Sequence, residues 1–325
     1  FKRFQQDFVI DVAAQYYATL RTRDQLENER KNYESTIMNR EQTESYAKAG
    51  RIADFEAAQA RQSELNAADR WSLSRSNYQK ALDDFRFELA LPIDLNVEPD
   101  PNELQRLSEK GLVELDITLV EAVSSAVSNR LDLINRRRQV EDRNRKLEIA
   151  QRAFLPDLDV SYKVTKEFES AGTTDVSQNL GVELKLPLDW TERRNDFRIA
   201  QINLEREMRS LVEEESSVQR DVRDLWRKLE RNRSVYKNRL LSVQLSERRV
   251  ENTTLLLKQG KALTRDLLDA EDDLLSSRNQ ATAALVDYTI NRLRFWDAIE
   301  RFEIDPKGMW YEQPYGNAEE PVEAP

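Results

Sequence analysis

The chain contains neither cysteine nor histidine. Those two absences remove disulfides, thiol nucleophiles, Cys/His zinc sites and histidine general bases. A lack of cysteine suits an oxidising compartment without demonstrating one. Glycine is scarce, at seven residues in 325, and no Gly-rich phosphate loop is present. A compact α/β enzyme would need more Gly-bearing turns. No stretch approaches 18 consecutive apolar residues, so no transmembrane helix is expected. A basic face is also missing: the net charge is −10, and Lys and Arg are interspersed with Asp and Glu. Nucleic acid is therefore not an expected partner.

What the chain has in excess is charge of both signs. Charged residues make up 34%, against about 25% in an ordinary globular chain, which suits long solvent-exposed helices. The length allows about two domain-sized units. Phe1 opens directly into an amphipathic helix with neither an initiator Met nor a leader, so a truncated or processed N-terminus is expected. Any export signal or lipid-anchor site would precede it.

An ungapped internal repeat organises the sequence. Gly50 falls on Gly260, an offset of 210 residues, and at the same offset Val12 falls on Val222, Ala60 on Ala270, Tyr78 on Tyr288 and Phe85 on Phe295. The matches spread evenly over about ninety residues, and a period this long means two copies of one large unit rather than a solenoid.

Each unit reads as helix, tight turn, helix. In the second copy Met208, Val222, Leu229, Tyr236, Val243, Val250 and Leu257 keep a seven-residue spacing, interrupted only by Glu215. That spacing predicts coiled-coil packing. The run 193–258 holds no Pro or Gly and would make a helix of roughly 100 Å, too long to wrap a globular core. Gly50 and Gly260 are the expected hairpin tips, where a left-handed C-cap costs glycine little. Four residues on, Asp54 and Thr264 can cap the returning helices. The expected organisation is a first helical hairpin at 1–91, an irregular Pro-broken connector at 92–116, a single helix at 117–155, a β-hairpin at 156–188, a second helical hairpin at 189–303 and a disordered tail at 304–325.

In the β-hairpin the period changes to two. Leu158, Val160, Tyr162 and Val164 alternate with polar residues, as do Leu180, Val182, Leu184 and Leu186 beyond a turn at Ala171-Gly172-Thr173-Thr174. Strands of this length and pattern fit an outer-membrane barrel, apolar to lipid and polar to the lumen. Alternation alone would favour a soluble hairpin packed on a helix, and the duplicated context reverses that preference. The first copy of the repeat begins abruptly at Phe1, which predicts a partner strand pair ahead of it.

Taken together, several segments resemble the TolC-like outer-membrane efflux protein family over nearly the whole chain. Asn129-Arg130-Leu131-Asp132-Leu133 is similar to the family's arginine-proline-aspartate-leucine segment, with Leu131 at the proline. Ala153-Phe154-Leu155-Pro156-Asp157-Leu158 resembles its step from helix into strand, and Leu186-Pro187-Leu188 its return. The glycine-rich stretch that often follows is replaced by Asp189-Trp190-Thr191-Glu192. Lys258-Gln259-Gly260, Asp266-Leu267-Leu268-Asp269-Ala270 and the helix through Tyr288 and Leu293 resemble the hairpin tip and final helix.

The resemblance implies a mainly α protein. Its duplicated long antiparallel helical hairpins would form a periplasmic α-barrel, and its β-hairpin would contribute to a transmembrane β-barrel. It also implies a homotrimer in the bacterial outer membrane, a passive conduit of a tripartite efflux or type I secretion system. A periplasmic adaptor and an inner-membrane pump would be its partners and outer-membrane lipid its surroundings. No enzyme activity, cofactor or metal is implied. Drug efflux, metal efflux and protein secretion share such an outer component, so no particular cargo follows.

By position relative to the tip glycine, the family's pore-constricting aspartates fall on Asp266 and Asp269, and Glu56 stands at the matching place in the first copy. Acidic residues in a first helical turn are also favoured by the macrodipole, so plain helix-start chemistry is the competing reading. The family's latch positions hold Leu257 and Ala262 here, which leaves the closing mechanism open; Lys261 and Arg265 are possible substitutes. Lipid-facing positions are expected at Leu158, Val160, Tyr162, Leu180, Val182 and Leu184. Trp190, Trp226, Tyr16 and Tyr17 read as packing aromatics, with Trp190 also suited to a membrane interface. A soluble coiled-coil scaffold and a periplasmic adaptor are the alternatives. The first gives no reason for the strand pair or the duplication, and the second lacks β-rich lipoyl-like domains.

Overall fold

The computed structural model describes residues 2–92, 94–168, 174–185, 189–304 and 310–312. In chain order the elements are α1 (Lys2–Lys48), α2 (Asp54–Glu88), α3 (Glu103–Lys110), α4 (Leu119–Asn129), α5 (Leu131–Arg152), β1 (Asp157–Phe168), β2 (Thr174–Lys185), α6 (Thr191–Lys258), α7 (Thr264–Ala298), β3 (Phe302–Ile304) and β4 (Trp310–Glu312). They divide into two compact units, one of residues 1–126 with 220–325 and the other of residues 127–219.

In the first unit α1 packs on α2 and α7. Its buried stripe of Gln6, Ile10, Ala13, Tyr17 and Leu20 follows the three- and four-residue steps of a helix face. Tyr17 and Leu20 meet Val286, and Leu104 and Leu107 of α3 close over this core. The Tyr288 hydroxyl donates to the Val113 carbonyl at 2.6 Å, tying the segment after α3 to α7.

The duplication is repeated in the backbone. α2 and α7 are each 35 residues long and begin and end 210 positions apart. At the first tip Arg51 N–H donates to Tyr46 O and Gly50 N–H to Ala47 O, both at 2.9 Å, and at the second Lys261 N–H donates to Leu256 O and Gly260 N–H to Leu257 O, both at 2.9 Å. This is the Schellman motif twice over, with Gly50 at φ 67° and Gly260 at φ 71°. The far ends of α2 and α7 close with the same pattern, Leu91 N–H to Arg86 O and Arg301 N–H to Trp296 O. There the left-handed residues are Ala90 (φ 51°) and Glu300 (φ 56°), which carry the motif without glycine.

Four details differ from the sequence expectations. The N-caps are Ala53 and Leu263 and make no side-chain cap bond, while Asp54 and Thr264 are already the first helical residues. The stretch 92–116 is not wholly irregular, because α3 forms where Leu104 and Leu107 can bury one face. The helix expected over 117–155 is broken at Arg130, which has an extended ψ of 126°. Leu131 thereby becomes the first residue of α5, the position that favours proline in other helices. Arg130 pairs with Asp132 at 2.6 Å, and Asp132 also accepts the Leu133 N–H at 2.8 Å, so the break is held without a proline. Finally, part of the expected disordered tail is ordered, since Trp310–Glu312 pairs antiparallel with Phe302–Ile304. The rest of that tail lies outside the described residues, as do the turn at 171–173 and Leu186-Pro187-Leu188.

In the second unit α5 lies along the first part of α6 through ion pairs. Arg136 reaches Glu207 at 2.9 Å and Glu214 at 3.1 Å, and Arg137 reaches Glu215 at 2.8 Å. β1 and β2 form one antiparallel pair from Asp157↔Lys185 to Phe168↔Thr174. At its foot Phe154 stacks on Trp190 with ring centroids 5.5 Å apart, and Phe197 meets Phe154 edge-on at 6.0 Å.

Candidate functional site

The tips of the two helical hairpins come together in the first unit around a cleft of about 540 Å³. Its walls include Asn39, Thr43 and Tyr46 from α1, Leu257 from α6, Leu267 and Leu268 from α7, and both tip glycines. No atom would meet a Cβ at Gly50 or Gly260 within 4 Å, so backbone conformation alone calls for glycine there.

The three acidic residues singled out from the sequence take different parts. Asp266 is exposed, and its Oδ2 accepts the backbone N–H of Leu263 at 3.0 Å. It therefore satisfies one of the donors left free at the start of α7. Asp269 is exposed and lies 3.6 Å from Arg265 one turn back. Both carboxylates stand on the outside of the same helix start. Glu56 is half-buried and turned the other way: its Oε2 accepts the Thr264 hydroxyl at 2.9 Å and lies 3.5 Å from the Thr264 N–H. It caps the helix of the other hairpin instead of its own.

Sequence reasoning did not find the polar seam between α1 and α7. Thr282 donates to Asp24 at 2.6 Å, and Asn28 donates to Asn279 at 2.9 Å. Ser35 and Asn39 each donate to Glu271 at 2.7 Å, one to each carboxylate oxygen. Burial raises the pKa of Glu271, with a smaller contribution from neighbouring Asp272, against the lowering effect of those two donors. The steps from Asp24 to Asn28, Ser35 and Asn39 are helical, and they are the one signal in the sequence that could have marked this face.

In the strand pair, Leu158 stands opposite Leu184, Val160 opposite Val182 and Tyr162 opposite Leu180. Side chains alternate along a strand, so these six share one face. Each is between 59% and 72% exposed, so nothing among the described residues covers them. Asp159↔Glu183, Ser161↔Gly181 and Lys163↔Asn179 make up the other face. The side chain of Lys185 lies outside the description.

Two long helical hairpins, duplicated in backbone detail and carrying a strand pair with one uncovered apolar face, define the fold of outer-membrane channels. No family model and no curated protein matches the chain, whereas solved structures match most of it. The fold is similar to that of CusC, with a TM-score of 0.76 at 14% identity over 92% of this chain and 69% of that one. The Vibrio cholerae outer membrane protein VceC matches at TM-score 0.72 and 15% identity over 90% of this chain and 70% of its own. The Campylobacter jejuni outer membrane channel CmeC matches at 0.70 and 18% over 92% and 65%. At these identities the likeness is one of fold, and it is the fold that the family resemblance implied.

Proposed function

We propose that the chain is one protomer of a homotrimeric outer-membrane duct, a passive export conduit with its helical hairpins in the periplasm. The uncovered apolar face of the strand pair carries this reading. Six large apolar side chains left in water would each forgo roughly 1–2 kcal/mol of transfer free energy, given their exposure. Lipid removes that cost. It also forbids open sheet edges, so two strands require further strands from symmetric copies to close a barrel. Asp159, Ser161, Lys163 and Glu183 then face the lumen.

At the hairpin tips, Asp266 and Asp269 of three protomers form an anionic ring at the entrance. Glu56, engaged with Thr264, supports the ring from behind. A periplasmic adaptor and an inner-membrane pump supply cargo and energy, and the duct performs no catalysis. A soluble scaffold or an adaptor is not favoured, because the solved structures that share this fold are outer-membrane channels.

Light scattering in detergent should give three copies, and planar-bilayer recordings should show a cation-preferring pore. Replacing Asp266 and Asp269 with Asn should keep the trimer and reduce cation preference and block by multivalent cations. A stable monomer or dimer as the sole species in detergent would sink the duct. An intact double-variant trimer with unaltered selectivity would remove only the ring.

A further inference from the structure

The α1–α7 seam contains one junction whose hydrogen bonding survives a change of charge. Glu271 is half-buried, with Ser35 on one carboxylate oxygen and Asn39 on the other, both at 2.7 Å. Ionised, it accepts from both. If Oε1 gains a proton, the Ser35 hydroxyl can rotate from donor to acceptor, and Asn39 continues to donate to Oε2. No bond is lost, and the cost of holding a charge in the seam disappears.

The surrounding charges push the same way. On α7 the adjacent group is Asp272, a like charge. Arg70, the cation α2 contributes, is already bound to Asp272 at 2.9 Å and lies 3.6 Å from Glu29. Glu64 of α2 is held by Arg40 of α1. Towards α6, Asp273 is paired with Arg249 and Arg278 with Glu247. Glu271 thus has two neutral donors and no ion-pair partner among these contacts.

We propose that the Ser35–Glu271–Asn39 junction binds a proton and tightens the seam between α1 and α7 as the surrounding pH falls. The raised pKa of Glu271 agrees in sign. A carboxyl whose folded pKa lies above its unfolded value weakens the fold as pH rises through the folded value, and the loss is complete above it. Glu29, also raised by burial and then by Asp272 against the lowering effect of Arg70, adds to the same trend.

The test follows urea midpoints of the full chain from about pH 4, near the ordinary glutamate value, up to pH 8. Wild type should lose stability across this range. Glu271→Gln, which keeps an acceptor for Asn39 and a donor for Ser35, should be more stable than wild type at pH 8 and converge with it at acid pH. Glu34→Gln, an exposed control on α1, should retain the wild-type slope. Because the chain has no cysteine, spin labels at Met38→Cys and Ser276→Cys report the seam alone. Their distance distribution should narrow in acid for wild type and stay narrow at every pH with Glu271→Gln. The open fraction should change about tenfold for each unit by which the Glu271 pKa exceeds an ordinary carboxylate. A Glu271→Gln chain that is no more stable at pH 8, keeps the wild-type pH response, or fails to fold overturns the proposal. None of these outcomes touches the duct reading, which rests on the strands and the trimer.

Discussion

The two tip glycines and the two left-handed non-glycine residues form a natural experiment in backbone strain. Gly260 sits at φ 71° with no atom within 4 Å of where a Cβ would stand, so an added methyl meets no side chain. Gly260→Ala therefore costs only the left-handed penalty of an L-residue, about 1–2 kcal/mol, offset by the 0.4–1 kcal/mol that alanine gains by restricting the unfolded chain. A net loss of about 1 kcal/mol should raise the local open population roughly fivefold. Hydrogen exchange of the Lys261 amide, bonded to Leu256 O at 2.9 Å, reads this directly. The Arg51 amide in the first tip should not change, and Gly50→Ala should give the mirror result. Ala90→Gly reverses the signs: relief of the φ 51° strain should outweigh the added chain entropy and slow exchange of the Leu91 amide. Faster exchange at Leu91, or a loss in Gly260→Ala well beyond 2 kcal/mol, would mean that contacts and not backbone strain set these positions.

Three further outcomes are expected. Val182→Arg should cost roughly 2–4 kcal/mol of stability in lipid vesicles and Asn179→Arg much less, and equal costs would refute the face assignment. Glu56→Ala should weaken the start of α7 by about 1 kcal/mol, the sum of a lost hydrogen bond and a lost charge at a helix N-terminus, with amide exchange at Thr264 as the readout. Tyr17, whose pKa burial pushes up to about 12, should titrate late in an alkaline absorbance series. Because the neutral form is the one the fold keeps, stability should fall as pH rises from about 10 towards 12. Tyr17→Phe should remove the late step and reduce the loss, with Tyr16 and Tyr78, also raised by burial, accounting for the remainder.

Much of this architecture could be read from the chain because its cues are periodic. The seven-residue seam reappears as the buried Val222, Leu229 and Tyr236, and two pairs of the repeat, Ala60/Ala270 and Phe85/Phe295, are buried in both copies. What stayed hidden leaves no periodic trace. Ala90 and Glu300 occupy a glycine-like conformation without being glycine. α3 is only eight residues long and follows three prolines, too short for a stripe to emerge. The break at Arg130 lacks the proline that would announce it. At the tips, counting from Gly260 was enough to find Asp266 and Asp269 exposed on one helix start. The partner of Glu56 lies 208 residues away, and no local pattern carries that contact.

That contact shows how the two copies have diverged while keeping one backbone. Glu56 and Asp266 are the same position of the repeat, third residue of the returning helix, and they differ by one methylene. The shorter Asp266 folds back onto its own N-cap amide at Leu263. The longer Glu56 reaches across to Thr264 at the start of α7. Both carboxylates therefore serve α7, one from within and one from the neighbouring hairpin. The start of α2 is left with Asp54 and Glu56 in its first turn and no side-chain cap at Ala53. The macrodipole still favours those charges, by about 0.3–1 kcal/mol each. Neither N-cap residue supplies a side-chain cap, so the two tips differ in the carboxylate contacts that only α7 receives. The α7 tip is accordingly the more firmly held of the two, and it carries the acidic pair proposed for the entrance. Identical helix lengths and end geometries give the two hairpins a common frame, and side-chain reach at a single repeated position gives them different parts.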